Sequence, residues 1–465
     1  MSGSVGVRAL KQASDHWNTY ALERLQPAAL WRALWTQSPA FWCIQLYVMF
    51  EYVRPQTVYP WIDIAPWSTI VLVGAVLGCF AEARLRFTAK ALWLGVAMLT
   101  TIILLSAFFA YSTATSWANR DFWINWLLLM VVVGAGIRTR RELLLLLVAF
   151  GLWNLKMSQH AVKGWVAIGF SFRDIGIGGA PGWFQNSGEF GIEMCIFLPL
   201  TVYFGYGVWP RLRKWGRIFV IAVAASILFS IVASSSRGAL LGAAALALWA
   251  VWQMPNRLRS FVMIGMTAMA IWAVVPAASK QRLSEMGDDK SSITRLTYWS
   301  DGIKIANDHP VLGVGFKNWL PYYTTYYNPK GQLPHNFMIE AVAELGYAGA
   351  IAVLAVIALS FRETARIRRR CSKRSRQPDR LLWAMAYGID GAMIGFMVSG
   401  SFVSVLYYPF LWMNVAFVMA LARVEDARPI EQSAHNSNTR DRFPHSPAQL
   451  AVGRWAPRAS RVPVR

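Results

Sequence analysis

Charged side chains are scarce: Asp, Glu, Lys and Arg supply 15% of the 465 residues, against roughly 25% in a typical soluble domain. With 55% hydrophobic and 14% aromatic content, that shortage excludes a water-soluble globular fold. Cysteine is scarce as well. Cys43, Cys79 and Cys195 lie inside apolar runs and Cys371 in a basic loop, so neither a disulfide framework nor a zinc-ligand spacing is present. No P-loop or glycine-rich nucleotide fingerprint occurs. The first 37 residues hold Asp15, His16, Glu23 and several Arg before any apolar stretch, so no cleavable signal peptide is expected and insertion is expected to use the first membrane helix. The same segment carries Trp17, Tyr20, Leu22, Leu30, Trp31, Leu34 and Trp35, the pattern of a helix lying along a membrane surface.

Acidic residues are outnumbered, 24 Asp and Glu against 46 Lys and Arg, for a formal charge of +22. The basic residues fall mostly in short clusters between apolar runs, where positive charge sets topology, and no nucleic-acid partner is expected. Apolar runs occur near 39–53, 66–80, 91–111, 121–137, 142–158, 187–208, 216–233, 238–253, 258–277, 337–360, 381–401 and 408–423. The expectation is an all-α membrane protein of about twelve transmembrane helices. Starting in the cytoplasm places Arg84, Arg86 and Lys90, then Arg138, Arg140 and Arg141, then Arg211 to Arg217, then Arg257 and Arg259, and finally Arg362 to Arg380 on the inner side. The alternate loops near Asp63, Trp117 and Val405 are poor in Lys and Arg, so both termini are expected inside. The chain thus divides into an interfacial segment 1–37, a membrane domain 38–423 and a disordered basic cytoplasmic tail 424–465. Two outer segments are long: about 159–185, with a glycine-rich centre, and about 278–335, expected to form short helices at the membrane surface.

Several polar groups stand where chemistry is possible. Ser234, Ser235, Ser236, Arg237 and Gly238 lie where the seventh run ends and the eighth begins; a guanidinium beside free backbone N–H groups and hydroxyls suits a phosphate, although an Arg snorkelling to the interface would look the same. Arg295 and Trp299 are four apart and share one helical face, which is amphipathic and able to lie on lipid. In Asn307 to Trp319, Pro310 and two glycines shape a loop. His335 precedes the tenth run, with Asn336 placed to cap that helix and Glu340 in its first turn. His335 is either a polar interface residue or a general base, since imidazole titrates near neutral pH. Glu189, Glu193, Glu344 and Asp390 are intramembrane carboxylates, functional suspects by default, with a structural role preferred for Asp390. The run Arg366, Arg368, Arg369 and Arg370 reads as anchoring to anionic lipid.

Ser-Ser-Arg-Gly at 235–238, Arg295 with Trp299, Asp-His-Pro-Val-Leu-Gly-Val-Gly-Phe at 308–316 and Pro-His-Asn at 334–336 followed by Glu344-Leu-Gly, in that order, resemble the O-antigen ligase and polymerase family. The resemblance covers about 180–350. Gly179 to Glu193 is similar to the family's glycine-rich segment, with Asn186 at the matching position but Gln185 where Pro is common. Phe50-Glu51-Tyr52-Val53-Arg54-Pro55-Gln56 resembles a branch associated with exosortase or exopolysaccharide systems. The resemblance implies a GT-C-like fold in the bacterial inner membrane and an inverting, metal-independent transfer with no cofactor. The glycan would move from undecaprenyl pyrophosphate to a glycan, lipid A-core or protein acceptor at the periplasmic face. It assigns Arg237 and Arg295 to the donor pyrophosphate and His335 to the acceptor hydroxyl, with Ser236, Trp299, Asn336 and Asn186 as further substrate contacts. Fixed Arg charges suit a leaving pyrophosphate. Three alternatives stand beside this: a polymerase using the same donor chemistry; a GT-C enzyme using a polyprenyl monophosphate sugar and a carboxylate base such as Asp63, with Asp288-Asp289 much later in the chain; and a lipid-linked glycan flippase or transporter, which would place its polar groups near the midplane.

Overall fold

The computed structural model describes residues 21–170, 176–253, 290–375 and 378–440, with scattered positions between 256 and 269. Trp17, Tyr20, most of the ninth apolar run, Asp288-Asp289, the start of the outer segment 278–335 and the tail beyond 440 lie outside the described residues. Two units divide the chain, Met1–Glu425 and Asp426–Arg465. Among the described residues every regular element is helical. The helices are α1 (Pro27–Trp35), α2 (Pro39–Tyr52), α3 (Trp67–Ala81), α4 (Lys90–Phe108), α5 (Asp121–Leu129), continued by a π-helical stretch Met130–Ala135, α6 (Arg140–Ala167), α7 (Ser187–Val208), α8 (Lys214–Ala233), α9 (Arg237–Gln253), α10 (Lys290–Asp308), α11 (Trp319–Tyr326), α12 (Phe337–Cys371), α13 (Arg380–Gly400) and α14 (Pro409–Arg440). Among the described residues five are long and apolar enough to cross a membrane: Lys90–Phe108, Ser187–Arg211, Lys214–Ala233, Phe337–Cys371 and Arg380–Gly400.

Local chemistry sets the helix starts. Ser38, Thr139 and Asp379 each accept a backbone N–H in the first turn of α2, α6 and α13, satisfying donors that a helix start leaves unpaired. Two ends depart from the apolar pattern. The helix α6 runs to Ala167, past the point where its sequence turns polar, because Lys156, Gln159, His160 and Lys163 propagate a helix without being apolar; the outer segment expected from 159 is shorter accordingly. The last helix continues to Arg440. In α1, Trp31 and Trp35 are exposed and edge-on to each other at 5.5 Å, consistent with an interfacial helix.

The centre of the bundle is α7 packed on α13, with α9 and α12 beside them. Small residues on α13 make the approach close: a Cβ at Gly395 would meet the backbone oxygen of Cys195 at 3.0 Å, and one at Gly391 would meet Pro199 Cβ at 2.7 Å. In a membrane, where apolar side chains gain little by leaving lipid, such backbone proximity supplies the packing.

At the end of the bundle where α6 and α13 begin, arginines are consumed by carboxylates. Arg84 pairs with Glu142, Arg140 with Glu23 and Asp379, and Arg138 with Glu82 at 3.6 Å. Arg423 donates to the backbone oxygens of Ile137, Arg86 and Arg84. The lipid-anchor reading of Arg366 to Arg370 is modified here: Arg366 and Arg370 both reach Glu425, and Arg368 pairs with Asp390, whose other oxygen takes the Thr364 hydroxyl. A carboxylate within the bundle needs such partners more than a lipid headgroup does.

Candidate functional site

The site is built around residues 401–408, between α13 and α14. Ser404 Oγ accepts the backbone N–H of His335 at 2.8 Å, and Glu340 Oε2 accepts that of Leu406 at 3.1 Å. The Phe402 ring lies 6.4 Å from that of Trp299. A Cβ at Gly238, next to Arg237, would meet Phe402 Cβ at 2.9 Å, and one at Gly188, two residues after Asn186, would meet Val403 at 3.4 Å. Four separate motifs therefore converge on one short connector.

His335 has a left-handed backbone, φ 51°, a conformation that costs a non-glycine residue energy and persists where neighbours hold it. Ser404 holds it from one side. Asn336 holds it from the other, its Oδ1 capping α12 by accepting the N–H groups of Met338 and Ile339 at 2.8 and 3.2 Å. Burial, and then the positive charge of Arg295, keep the His335 imidazole below its ordinary 6.5. It is therefore neutral at neutral pH, with a ring nitrogen able to take a proton.

Arg295 and Trp299 lie on α10, and the Trp299 indole N–H donates to the backbone oxygen of Pro334 at 3.0 Å. This corrects one expectation: the face carrying Trp299 is turned to the 334–335 turn. The apolar residues left exposed on α10 are Ile293, Leu296 and Ile303. Arg237 opens α9. Ser236 Oγ accepts the N–H of Ala239 at 3.3 Å, and the N–H of Ser236 donates to Ser234 Oγ at 3.3 Å, so the hydroxyls shape the turn that presents Arg237. Asn186 is exposed at the start of α7 and donates to Glu189 Oε1 at 3.1 Å; among the described contacts none joins it to His335.

The loop 308–316 has a structural role. Helix α12 breaks at Gly346, φ 67°, and the loop fills the break: Val314 and Gly315 donate to the oxygens of Ala343 and Glu344 at 2.9 and 3.0 Å, and Tyr347 donates to that of Pro310 at 2.8 Å. Interrupted backbone is tolerated within a membrane protein where other groups satisfy it. The Glu344 carboxylate accepts the N–H groups of Lys317 and Trp319, each at 3.0 Å, which anchors the loop end. His309 sits 3.2 Å from the Tyr322 hydroxyl, with no described contact to His335. Glu193 is buried, and its oxygens have no hydrogen-bond partner among the described residues. Among the described residues no three His, Cys, Asp or Glu side chains group so as to hold a metal ion.

Residues 221–354 match the model of the O-antigen ligase family. Over that segment the chain is similar to an O-antigen ligase domain. That family comprises membrane enzymes of the glycosyltransferase type acting on lipid-linked glycans. No curated protein matches the chain. The matched segment contains Ser236, Arg237, Arg295, Trp299, His335 and Asn336, while Phe402 and Ser404, which meet Trp299 and His335, lie beyond it. Sequence reasoning missed both. The available signal was the pair Ser401 and Ser404 between two apolar runs, followed by Tyr407-Tyr408-Pro409.

Proposed function

We propose that this protein transfers a glycan from undecaprenyl pyrophosphate to an acceptor hydroxyl at the periplasmic face of the bacterial inner membrane, by an inverting displacement that needs no metal. The observation that carries the reading is a half-buried His335 within electrostatic range of Arg295, its backbone fixed by Ser404 beside the turn that Trp299 holds. In this reading His335 takes the proton of the attacking hydroxyl. Arg237 and Arg295 bind the pyrophosphate and stabilise the charge that grows on it as the glycosidic bond breaks. Ser236, Asn336 and Trp299 shape the pocket, and Asn186 contributes from its rim.

The membrane domain is 38–423, with about twelve spans in a GT-C-like arrangement, of which the shorter and more charged helices form part. Residues 1–37 lie on the inner side and 278–335 on the periplasmic side. The residues after 423 are cytoplasmic, because only this orientation collects the basic clusters inside. The experiment is reconstitution of the purified chain with an undecaprenyl-pyrophosphate glycan and candidate acceptors in EDTA. Transfer is expected to persist. A single addition to lipid A-core or protein identifies a ligase, a ladder of repeats identifies a polymerase, and complete, metal-reversible loss of transfer would contradict the mechanism.

A further inference from the structure

A second pair of cations lies beside the same connector. Arg54 follows α2 with φ 48°, and its guanidinium packs onto Gly182 so closely that a Cβ there would overlap its Nη1 at 1.5 Å. Trp183, the next residue, is fixed in place: its indole N–H donates to Glu51 Oε2 at 2.8 Å, and its ring lies 5.7 Å from Phe122 and 5.0 Å from Tyr408. Beyond Phe122 comes Lys317, whose Nζ is 4.3 Å from the Phe122 ring centroid and 4.9 Å from that of Tyr407. Arg54, Trp183, Phe122 and Lys317 thus form a continuous run, each half-buried. Tyr407 and Tyr408 follow Ser404 by three and four residues, which sets the run next to the His335 turn.

Neither Arg54 nor Lys317 makes an ion pair with a described residue. Acidic groups do lie within electrostatic range, Glu51 for Arg54 and Glu340 and Glu344 for Lys317. Their oxygens are committed elsewhere: Glu51 to Trp183, Glu340 to Leu406, and Glu344 to the backbone of Lys317 and Trp319. The two cations stand at either end of this run with an indole and a phenyl ring between them, and cations beside aromatic rings are the side-chain types that recognise a charged sugar.

We propose that Arg54 and Lys317, with Trp183 between them, form a subsite for a sugar bearing a carboxylate in the glycan that the protein handles. The subsite rests on the transfer reading above and names the class of glycan. The aromatic faces pack on the pyranose and the cations take the carboxylate, which can belong to the donor or to the acceptor.

The test uses the full chain reconstituted in lipid, and a tetrasaccharide with one glucuronate paired with its carboxyl-reduced counterpart. Each is offered once as the undecaprenyl-pyrophosphate donor and once as the acceptor. Wild-type protein is expected to prefer the carboxylate by roughly tenfold in kcat/KM, the scale of one hydrogen bond to a charged group, in whichever arm places that sugar at the subsite. Arg54→Gln and Lys317→Gln should each shrink the preference, while Lys330→Gln, an exposed cation of the same outer segment, should keep it. Titration of the free tetrasaccharide pair onto purified protein gives the same ratio without turnover, so a variant that no longer transfers is still read. Equal use of both glycans by wild type in both arms and in the titration overturns the subsite, as does an unchanged preference in both Gln variants. Failure of wild type to transfer any glycan overturns the parent reading, and the titration still decides the subsite.

Discussion

Where α6 and α13 begin, Arg84, Arg138 and Arg140 are each bound to carboxylates, and Arg84 is almost fully buried beside Glu142. At the opposite end, around 401–408, Arg54 and Lys317 reach no carboxylate among the described residues, and the one histidine that is drawn in is held neutral by burial and by Arg295. The same residue type serves two purposes. A buried guanidinium that is neutralised locally fixes the packing of several helix ends, and it has little capacity left for a ligand. A cation that is half-buried and has no carboxylate partner among the described residues keeps its charge available, at a desolvation cost that a bound anion would offset. The basic end is thus organised for structure, and the residues proposed to bind substrate gather at the 401–408 end.

His335→Ala should break the binding end most severely. Transfer is expected to fall by about 10²- to 10⁴-fold, the range for loss of a general base, while binding of the undecaprenyl-pyrophosphate donor is retained. Near wild-type turnover would remove His335 from the chemistry. Next in size, the two ends should respond differently to arginine replacement. Arg237→Lys and Arg295→Lys should each lower kcat/KM by roughly 10- to 100-fold although charge is kept, because an ammonium does not reproduce the guanidinium fork. Arg84→Leu leaves Glu142 unpaired and should instead cost about 3–5 kcal/mol of stability, read as a lower Tm with KM for the donor unchanged. Stability loss from the first pair and a KM change from the second would invert the comparison.

Much of the scaffold was legible in the sequence. The run 187–208 matches α7 residue for residue, and 91–111 differs from α4 by a few residues at its ends, because a long apolar stretch bounded by charge has few other solutions in a membrane. The order of the motifs around Arg237, Arg295 and His335 was legible too, and the family match over 221–354 meets the resemblance they suggested. What the chain did not disclose was which connector joins them. Ser404 and Phe402 act through a backbone N–H and a ring contact, and neither residue type signals such a role from one sequence. The break at Gly346 was likewise hidden, since a glycine inside an apolar run reads as packing until the loop that fills the gap is seen.

The smallest effect expected is a shift. In the proposed mechanism transfer requires the neutral imidazole, and burial with the Arg295 charge holds the His335 pKa below the ordinary 6.5, so activity should hold as pH drops to 6.5 and decline only as it falls through the lowered value. An acid limb of the kcat/KM profile at or above 6.5 would mean that Arg295 and burial do not act on His335 as the geometry indicates.

The measurement that bears most directly on the account is labelling of His335→Cys, with Cys43, Cys79, Cys195 and Cys371 replaced, by a membrane-impermeant thiol reagent in intact cells with the outer membrane permeabilised. The account predicts that residue 335 is labelled from outside and that added undecaprenyl-pyrophosphate glycan slows the reaction. Labelling only after the inner membrane is opened would contradict it.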